Sequence, residues 1–266
     1  MNKKSYIGAV FFDVDGTLLD EKCNIFTPTD KTKEAIERLK QNGYLTCVAT
    51  GRAKCYMADV DIKFDGYITC NGAVAEVDGD VFYRNVFDSD SKVRLVEYLE
   101  ENGFAYNLET REICYYGESR AELMKGMLEI FSITKNCFAP LTDPASVQAS
   151  KSMVIFENDK MFDELLKKFG NDFLIIKHRG YPSADINSPG ITKATGMREI
   201  MKRYGIPLEN TYAFGDAGND YFMLEAAGHG IAMTPHEAEL DSVAEFVTGT
   251  VADEGIYTAL NHFGII

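Results

Sequence analysis

Two aspartates, Asp13 and Asp15, follow the first apolar stretch of the chain. That stretch, residues 7–12, is predicted to be a strand buried on both faces, because its side chains are almost all apolar. Side chains two positions apart on a strand point the same way, unless Asp15 and Gly16 begin a turn between them. In either case the two carboxylates converge at the carboxyl end of a strand, where open α/β sheets bind their ligands.

A pair of carboxylates in this position can carry out phosphoryl chemistry. One carboxylate can attack a phosphorus atom and form an acyl phosphate, while the second gives a proton to the leaving oxygen and later takes one from water. Both carboxylates repel a phosphate dianion, so the site needs a cation, and Mg²⁺ prefers carboxylate, phosphate and water oxygens. Taken alone, the Asp-x-Asp-Gly sequence is also typical of a polar turn after a core strand.

A second predicted strand, residues 44–49, ends in three residues suited to phosphate. Thr50, Gly51 and Arg52 supply a hydroxyl, a backbone that can approach an anion closely, and a guanidinium. The alternative is an ordinary strand end followed by a helix N-cap. Between the two strands, a helix with Thr27 as its N-cap is predicted to complete a β-α-β unit.

Two later groups place charged side chains at the start of a helix and at the end of a strand. Lys193 begins a predicted helix, where a cation is locally unfavourable and an anionic partner is therefore favoured. Further on, the predicted strand 211–214 precedes Asp216, Asn219 and Asp220. Asp216 is placed like a metal ligand, Asn219 can donate to an anion, and Asp220 can support the metal or cap the next helix. A Gly-rich loop with an N-cap is the alternative.

The composition limits the classes of protein to be considered. The 266 residues include 27 Lys plus Arg and 41 Asp plus Glu, for a net charge of -14. This charge argues against a nucleic-acid partner, but a small anionic substrate can still be held by local cations and backbone N–H groups. The six cysteines lack zinc-site spacing and are expected to be reduced, in a cytoplasmic protein. No stretch approaches transmembrane length, so no membrane partner is expected.

The order of the predicted elements indicates two domains. Alternating strands and helices predict an α/β fold, a Rossmann-like, doubly wound and mainly parallel sheet, for residues 1–85 and 185–266. Residues 86–184 mix short strands and helices in an α+β pattern and are predicted to form a domain inserted into the first. Near the end of this insertion, four residues are candidates for substrate contact: His178, Arg179, Tyr181 and Ser183.

Taken together, the segments at Asp13, Thr50, Lys193 and Gly215 resemble, in order and spacing, the four motifs of the haloacid-dehalogenase superfamily of phosphohydrolases. The insertion is similar to the cap of the Cof-type phosphatase branch, and the resemblance covers essentially the whole chain. It implies a Mg²⁺-dependent phosphatase acting on small phosphomonoesters, with sugar phosphates as the expected class. One local departure is Ala194, where related sequences more often carry glycine.

The resemblance also implies a role for each candidate residue. Asp13 would be the nucleophile that becomes a phosphoaspartate, and Asp15 the general acid and base. Mg²⁺ would be bound by the side chains of Asp13 and Asp216 and by the backbone carbonyl of Asp15, while Asp220 supports the metal or Lys193. The candidates for holding the phosphoryl group are Thr50, Gly51, Arg52, Lys193 and Asn219.

Two other functions are compatible with the same residues. A phosphomutase such as phosphomannomutase shares the core and a similar cap, and would interconvert hexose phosphates without releasing phosphate. A non-catalytic phosphate-binding regulatory protein would keep the scaffold but would have no need for Asp15. In each case the expected partner is a small phosphorylated metabolite, and the chain is expected to be a monomer or a weak homodimer.

Overall fold

The computed structural model describes residues 5–57, 61–118, 120–130, 137–178 and 180–266, and within these ranges the side chains of residues 125 and 127–130 are not described. The chain divides into two compact units. The first comprises Met1–Gly51, Ala58–Tyr83 and Thr192–Ile266, and the second comprises Arg52–Met57 and Arg84–Ile191. Each unit is built on a sheet of its own.

The strands of the first unit are β1 (Gly8–Phe12), β2 (Tyr44–Ala49), β3 (Gly66–Thr69), β4 (Val74–Val77), β5 (Asp80–Arg84), β12 (Thr211–Gly215), β13 (His229–Ala232) and β14 (Phe246–Val247). Within the described residues they form one sheet in the order β14-β13-β12-β1-β2-β3-β4-β5. β1 pairs in parallel with both β2 and β12. All of its residues are buried, as expected for an apolar strand covered on both faces.

Four α-helices belong to the described part of the first unit: α1 (Asp30–Gln41), α5 (Lys193–Tyr204), α6 (Tyr221–Ala226) and α7 (Gly255–His262). α1 connects β1 to β2, as predicted, but the prediction of Thr27 as its N-cap is wrong. The cap is Thr29, because its hydroxyl lies 3.2 Å from the Thr32 N–H and accepts a hydrogen bond from it. In the described part of the chain, no helix combines the length and apolar composition needed to cross a bilayer.

The strands of the second unit are β6 (Ala105–Glu109), β7 (Cys114–Tyr116), β8 (Phe138–Pro140), β9 (Lys151–Ile155), β10 (Leu174–Lys177) and β11 (Ser183–Asn187). Their order among the described residues is β10-β11-β9-β6-β7-β8, with antiparallel pairing except between β7 and β8. The helices are α2 (Ser89–Glu101), α3 (Ala121–Ile130) and α4 (Asp159–Phe169). A separate apolar core includes Leu99, Val154 and Phe169.

The last strand of the second sheet includes residues on both sides of the boundary predicted at residue 185. β11 extends to Asn187 and pairs with β9 and β10, so residues 185–187 belong to the second sheet. The second unit then continues to Ile191. The predicted start of the core segment, residue 185, thus falls within β11, and the predicted boundary itself stays a prediction. The assignment of the two units as core and cap stays a prediction.

Lys151 on β9 is buried between carboxylates from the two neighbouring strands. Its Nζ lies 3.3 Å from Glu109 Oε1 on β6 and 2.9 Å from Asp185 Oδ1 on β11. Burial raises the pKa of Glu109, and Lys151 offsets only part of this effect. Burial also opposes ionisation of Asp185, but Lys151 and His178 outweigh it and hold the pKa of Asp185 well below its usual range. The single ammonium thus serves both carboxylates.

Candidate active site

Asp13 is the first residue after β1, which is a central strand of the first sheet. Its backbone N–H donates to the Phe214 carbonyl at 3.0 Å, which extends the parallel pairing of β1 with β12 by one residue. The residue is 4% exposed. Because β2 and β12 flank β1 in parallel, the residues that follow all three strands lie at the same edge of the sheet.

Lys193, the first residue of α5, forms two buried ion pairs. Its Nζ lies 2.7 Å from Asp13 Oδ1 and 2.7 Å from Asp220 Oδ1. Burial opposes its charged form, but the two carboxylates outweigh burial and hold the pKa of Lys193 above its usual value. α5 can start here because a glycine, Gly72, packs against the Thr192 carbonyl, where a Cβ would collide.

The loop after β12 is folded around the side chain of Asp220. Its Oδ2 accepts hydrogen bonds from the backbone N–H groups of Asp216, at 3.0 Å, and Ala217, at 3.2 Å. Because Oδ1 is engaged by Lys193, both carboxylate oxygens have protein donors. A Cβ at Gly215 would overlap the Asp220 carboxylate, so the loop closes this tightly only with glycine there. This bonding favours a role for Asp220 in positioning Lys193 and the loop.

The acidic residues brought together by these contacts fit a divalent cation. One carboxylate oxygen each from Asp13, Asp216 and Asp220 lie within 4.8 Å of one another. Burial and the Asp220 charge raise the pKa of Asp13 well above its usual value and that of Asp216 to about 7, although Lys193 opposes both shifts. The Lys193 ammonium therefore does not neutralise the negative charge of the three carboxylates. A hard cation that binds oxygen ligands would do so.

Two further features suit a bound group at this edge. The Asn219 Oδ1 atom is buried and has no hydrogen-bond partner in the described part of the chain. Gly16, at φ 85°, leaves room beside Asp216, since a Cβ there would overlap the Asp216 carboxylate. Unpartnered polar atoms are costly inside a protein unless a ligand or water satisfies them.

Asp15 differs from Asp13 in being exposed. The chain turns directly after it, with the Gly16 N–H donating to the Leu19 carbonyl at 2.8 Å. Its side chain is not among the three carboxylates that lie within 4.8 Å of one another, although its charge adds slightly to the raised pKa values of Asp13 and Asp216. An exposed carboxyl can exchange protons with solvent, which suits an acid and base better than a metal ligand.

Thr50 follows β2 and is buried, with its backbone held on both sides. Its N–H donates to the Ile68 carbonyl at 2.9 Å, and its carbonyl accepts from the Asn71 N–H at 3.1 Å. Gly51 is the last residue of this segment of the first unit, and Arg52 begins the second unit. Thr50 is thus fixed one strand away from Asp13 at the carboxyl edge of the sheet.

The sequence pattern of the haloacid dehalogenase-like hydrolase family matches residues 10–260 of this chain. The chain belongs to this family. Phosphatase YwpJ of Bacillus subtilis is 26% identical over 95% of this chain and 98% of its own length. The 5-amino-6-(5-phospho-D-ribitylamino)uracil phosphatase YitU, from the same organism, is 25% identical over 99% of both proteins. These similarities confirm the predicted phosphatase class.

Solved structures of haloacid dehalogenase family members share the whole fold. The HAD subclass IIB sugar phosphatase BT4131 matches with a TM-score of 0.85 and 28% identity, over 97% of this chain and 100% of that one. The phosphatase BT1666 of Bacteroides thetaiotaomicron matches with a TM-score of 0.84 and 28% identity, over 98% of this chain and 96% of that one. The predicted α/β fold class is confirmed.

In this haloacid dehalogenase-like hydrolase, the structure brings four predicted residues into one cluster: Asp13, Lys193, Asp216 and Asp220. Their roles stay predictions, as do those of Asp15, Thr50, Gly51, Arg52 and Asn219. Of the candidates near the end of the second unit, His178 pairs with Asp185 at 3.3 Å and its Nδ1 lies 2.8 Å from the Ser183 hydroxyl. Tyr181 is 56% exposed, and Arg179 lies outside the described residues.

Sequence reasoning missed two residues that shape the Asp216 loop. The Thr17 hydroxyl donates to Asp216 Oδ1 at 3.2 Å, and Glu237 Oε2 accepts from the Gly218 N–H at 3.1 Å. Thr17 directly follows the Asp-x-Asp-Gly sequence. A hydroxyl so close in sequence to two carboxylates could have indicated a residue of the site. Nothing near Glu237 in the sequence indicates its contact, because it comes from a separate loop.

Proposed function

We propose that this haloacid dehalogenase-like hydrolase is a Mg²⁺-dependent phosphatase that cleaves small phosphomonoesters, chiefly sugar phosphates, through a phosphoaspartate on Asp13. The observation that carries the proposal is the buried Asp13 carboxylate, paired with Lys193 at 2.7 Å and clustered with two further carboxylates. A buried carboxylate beside a fixed ammonium is suited to attack phosphorus while the ammonium holds a phosphoryl oxygen.

The protein side chains divide the reaction between them. One Asp13 oxygen pairs with Lys193, which orients the carboxylate, and the other is the oxygen that attacks the phosphorus atom. Asp15 gives a proton to the leaving alkoxide and then takes a proton from the water that hydrolyses the phosphoaspartate. Lys193 stays in place through its second bond, to Asp220. Thr50 is proposed to donate to a phosphoryl oxygen from the neighbouring strand.

The carboxylates of Asp13 and Asp216 are the side chains proposed to hold Mg²⁺, with the Asp15 backbone carbonyl as a further ligand. When bound, Mg²⁺ supplies positive charge that keeps the buried carboxylates ionised and offsets their repulsion of the phosphate. The direction of one pKa shift supports this proposal, since burial and the Asp220 charge raise the pKa of Asp13, the proposed nucleophile, and a nearby cation would oppose that shift.

Sugar phosphates are proposed as the substrate class because BT4131, a sugar phosphatase, shares the fold over 97% of this chain. YitU, a relative over 99% of both chains, acts on a phosphorylated ribityl compound, which is also a phosphomonoester with a polyhydroxylated chain. In a sugar phosphate and in the ribityl phosphate alike, the group that leaves phosphorus is an alkoxide. An alkoxide is a strong base, so its departure needs a proton from a general acid.

The test is phosphate release from a panel of sugar phosphates, pyridoxal phosphate, flavin mononucleotide and nucleotides, each with Mg²⁺ or EDTA. We expect release that requires Mg²⁺ and is abolished in Asp13→Asn. Asp163→Asn, an exposed change on α4, is the matched control and should keep the wild-type rate. Release at the wild-type rate by Asp13→Asn would refute the assigned nucleophile.

Failure across the panel also has a defined meaning. If the folded protein binds Mg²⁺ but releases no phosphate, hexose phosphate interconversion is measured next. Interconversion without free phosphate would identify a phosphomutase, and its absence would favour a non-catalytic phosphate-binding protein.

A further inference from the structure

Three of the six cysteines lie near one another in the second unit. Cys55 is on a 3-10 helix at Lys54–Tyr56, Cys114 begins β7, and Cys137 directly precedes β8. The backbone N–H of Cys114 donates to the Cys137 carbonyl at 2.8 Å, and Cys137 directly precedes Phe138, the residue opposite Cys114 in the parallel pairing of β7 with β8. The sequence gives no sign of this grouping, because no two of the three are close along the chain.

Two of the three thiols are in direct contact. The Sγ atoms of Cys55 and Cys114 lie 3.6 Å apart. A disulfide bond is about 2.05 Å long, so the two sulfurs need to approach by roughly 1.5 Å, within reach of side-chain rotation and a small backbone shift. Cys114 is buried and Cys55 is half-buried, which leaves Cys55 open to a small reagent from solvent.

The segment that carries Cys55 is held in place by its neighbour in the chain. The Tyr56 hydroxyl donates to Glu109 Oε2 at 2.8 Å, and the Tyr56 ring packs against Phe138 with their centroids 5.7 Å apart. Both contacts lie beside β7, so Cys55 is kept next to Cys114. A fixed approach favours reaction between these two thiols over reaction with a distant cysteine.

The surroundings also favour the reactive form of Cys55. The Cys114 thiol lowers the pKa of Cys55, burial opposes this effect, and the Cys137 thiol adds a smaller lowering. The thiolate is the nucleophile in thiol oxidation, and it forms more readily when the pKa is lowered.

We propose that Cys55 and Cys114 form a reversible disulfide when the protein meets hydrogen peroxide. The Cys55 thiolate attacks one peroxide oxygen, the O–O bond breaks, and hydroxide leaves, so Cys55 becomes a sulfenic acid. The Cys114 sulfur then attacks the Cys55 sulfur, the S–O bond breaks, and water leaves with the Cys114 proton. Two thiols and one peroxide thereby give one disulfide and two waters.

A metal site is the other use that proteins make of grouped cysteines, and the geometry does not favour it. Among the described residues, Asp13, Asp216 and Asp220 form the one group of three His, Cys, Asp or Glu residues whose ligand atoms all lie within 4.8 Å of one another. The three sulfurs therefore do not meet the spacing of a preformed thiolate site, whereas the Cys55 and Cys114 sulfurs are already 3.6 Å apart.

The disulfide would tether a segment next to the proposed phosphate-binding residues. Cys55 follows Thr50, Gly51 and Arg52 closely in the chain, and the bond would join this segment covalently to β7. A peroxide-sensitive crosslink would therefore restrict the segment that leads directly out of Gly51.

The experiment maps the crosslink in the intact protein. Reduced protein is treated with hydrogen peroxide, remaining thiols are alkylated, and peptides are identified by mass spectrometry. We expect a Cys55–Cys114 peptide that disappears after dithiothreitol and persists in Cys23→Ser and Cys137→Ser. It should be absent in Cys55→Ser, which then shows Cys114 in its alkylated form.

Two results would overturn the proposal. One is a peptide that joins Cys55 to Cys137 in place of Cys114, and the other is peroxide treatment that oxidises Cys55 to sulfinic acid with Cys114 still alkylated. Because wild-type protein gives the decisive peptide, the test does not depend on a cysteine variant that folds. The readout is a peptide mass, so it stands or falls separately from the phosphatase activity.

Discussion

Asp13 and Asp15 are two positions apart but lie in opposite environments. Asp13 is 4% exposed and paired with Lys193, whereas Asp15 is exposed beside a turn. Burial and Asp220 raise the pKa of Asp13, and a nucleophile in such a place depends on nearby positive charge. These different environments fit the roles proposed for the two side chains, Asp13 as the nucleophile and Asp15 as the proton carrier.

The first prediction separates the two proposed steps by changing Asp15 to Asn. With p-nitrophenyl phosphate, whose leaving group is a weak base, the first step needs no proton, so Asp13 should still be phosphorylated. Hydrolysis of the phosphoaspartate needs the base and should stop. We expect a burst of p-nitrophenol equal to the enzyme concentration, followed by a rate far below that of the wild type. Steady turnover without a burst would contradict the role of Asp15.

A second prediction concerns Asp216, whose pKa is raised to about 7 by burial and by Asp220. Mg²⁺ binds the ionised carboxylate, so below pH 7 a proton must leave first. Mg²⁺ affinity should therefore rise with pH, by about tenfold per pH unit for each proton released, and most steeply below about pH 7, where Asp216 still carries its proton. Calorimetry in two buffers of different ionisation heat should show more protons released at pH 6 than at pH 8.

Thr17→Val provides the matched control for this pH profile. The Thr17 hydroxyl donates to Asp216 and lowers its pKa, so removal of the hydroxyl should raise that pKa further. The midpoint of the Mg²⁺ affinity profile should then move to higher pH. An unmoved midpoint, or equal proton release at both pH values, would mean that Asp216 is not the titrating group.

At the scale of elements, the site depends on close approach between backbone segments. Lys193 reaches Asp13 because α5 begins against the turn that follows β3, where Gly72 packs on the Thr192 carbonyl. The loop after β12 closes in a similar way, with Gly215 against Asp220. Glycines at these positions let elements that are distant in sequence place charged side chains within 3 Å of each other.

The third prediction tests the approach at Gly72 by comparison with Gly79. Both have positive φ, at +96° and +80°, but a Cβ at Gly72 would overlap the Thr192 carbonyl, whereas nothing lies within 4 Å of one at Gly79. Gly79→Ala should cost about 1 kcal/mol of unfolding free energy from the backbone conformation alone. Gly72→Ala should cost more than about 2 kcal/mol and also lower kcat, because α5 and Lys193 must shift.

Urea unfolding and steady-state kinetics measure the two effects. Equal losses of unfolding free energy in Gly72→Ala and Gly79→Ala would show that the new Cβ at position 72 is accommodated beside the Thr192 carbonyl at no added cost in stability. An unchanged kcat in Gly72→Ala would show that Lys193 does not depend on this packing.

At the scale of the whole molecule, each unit has its own apolar core and its own buried ionic group. In the first unit Lys193 serves Asp13 and Asp220, and in the second Lys151 serves Glu109 and Asp185. The ionic group around Lys193 includes carboxylates of the proposed metal site. The ionic group around Lys151 lies in the second sheet, and its contribution to stability can be measured independently of catalysis.

The fourth prediction is that Lys151→Met destabilises the protein by about 3–5 kcal/mol, because two buried carboxylates lose their cation. Without it, the pKa of Glu109, which burial already raises, should lie still further above its value in the unfolded chain, whereas Asp185 keeps His178 as a partner. Folding then favours the protonated form of Glu109, so stability is retained at low pH and lost as pH rises through its raised pKa. In urea unfolding, the loss of unfolding free energy relative to wild type should be larger at pH 8 than at pH 5.

Lys160→Met is the control for this change. Lys160 is 83% exposed and lies 3.8 Å from Glu164 on the same helix, so its removal should leave stability nearly unchanged at both pH values. If the loss of unfolding free energy in Lys151→Met does not depend on pH, Lys151 stabilises the protein through packing and not through its charge.

The sequence alone determined the features that depend on neighbouring residues. The apolar run before Asp13 and the alternation of strands and helices place Asp13, Thr50 and Asp216 after β1, β2 and β12, which are neighbours in the observed sheet. Lys193 begins a helix as predicted. Periodicity and strand ends are local properties, so composition and spacing are sufficient to indicate them.

Only the tertiary structure decided which side chains meet. It gave β11 to the second sheet, bonded both Asp220 oxygens to protein donors, left Asp15 exposed, and brought Cys55 against Cys114. The pairing of β11, the Lys193–Asp220 bond and the Cys55–Cys114 contact each join residues of separate elements. The free energy of such contacts does not appear in any local pattern. A short apolar or acidic segment is compatible with a strand in either sheet. Pairing with strands that are distant in sequence decides which sheet it joins.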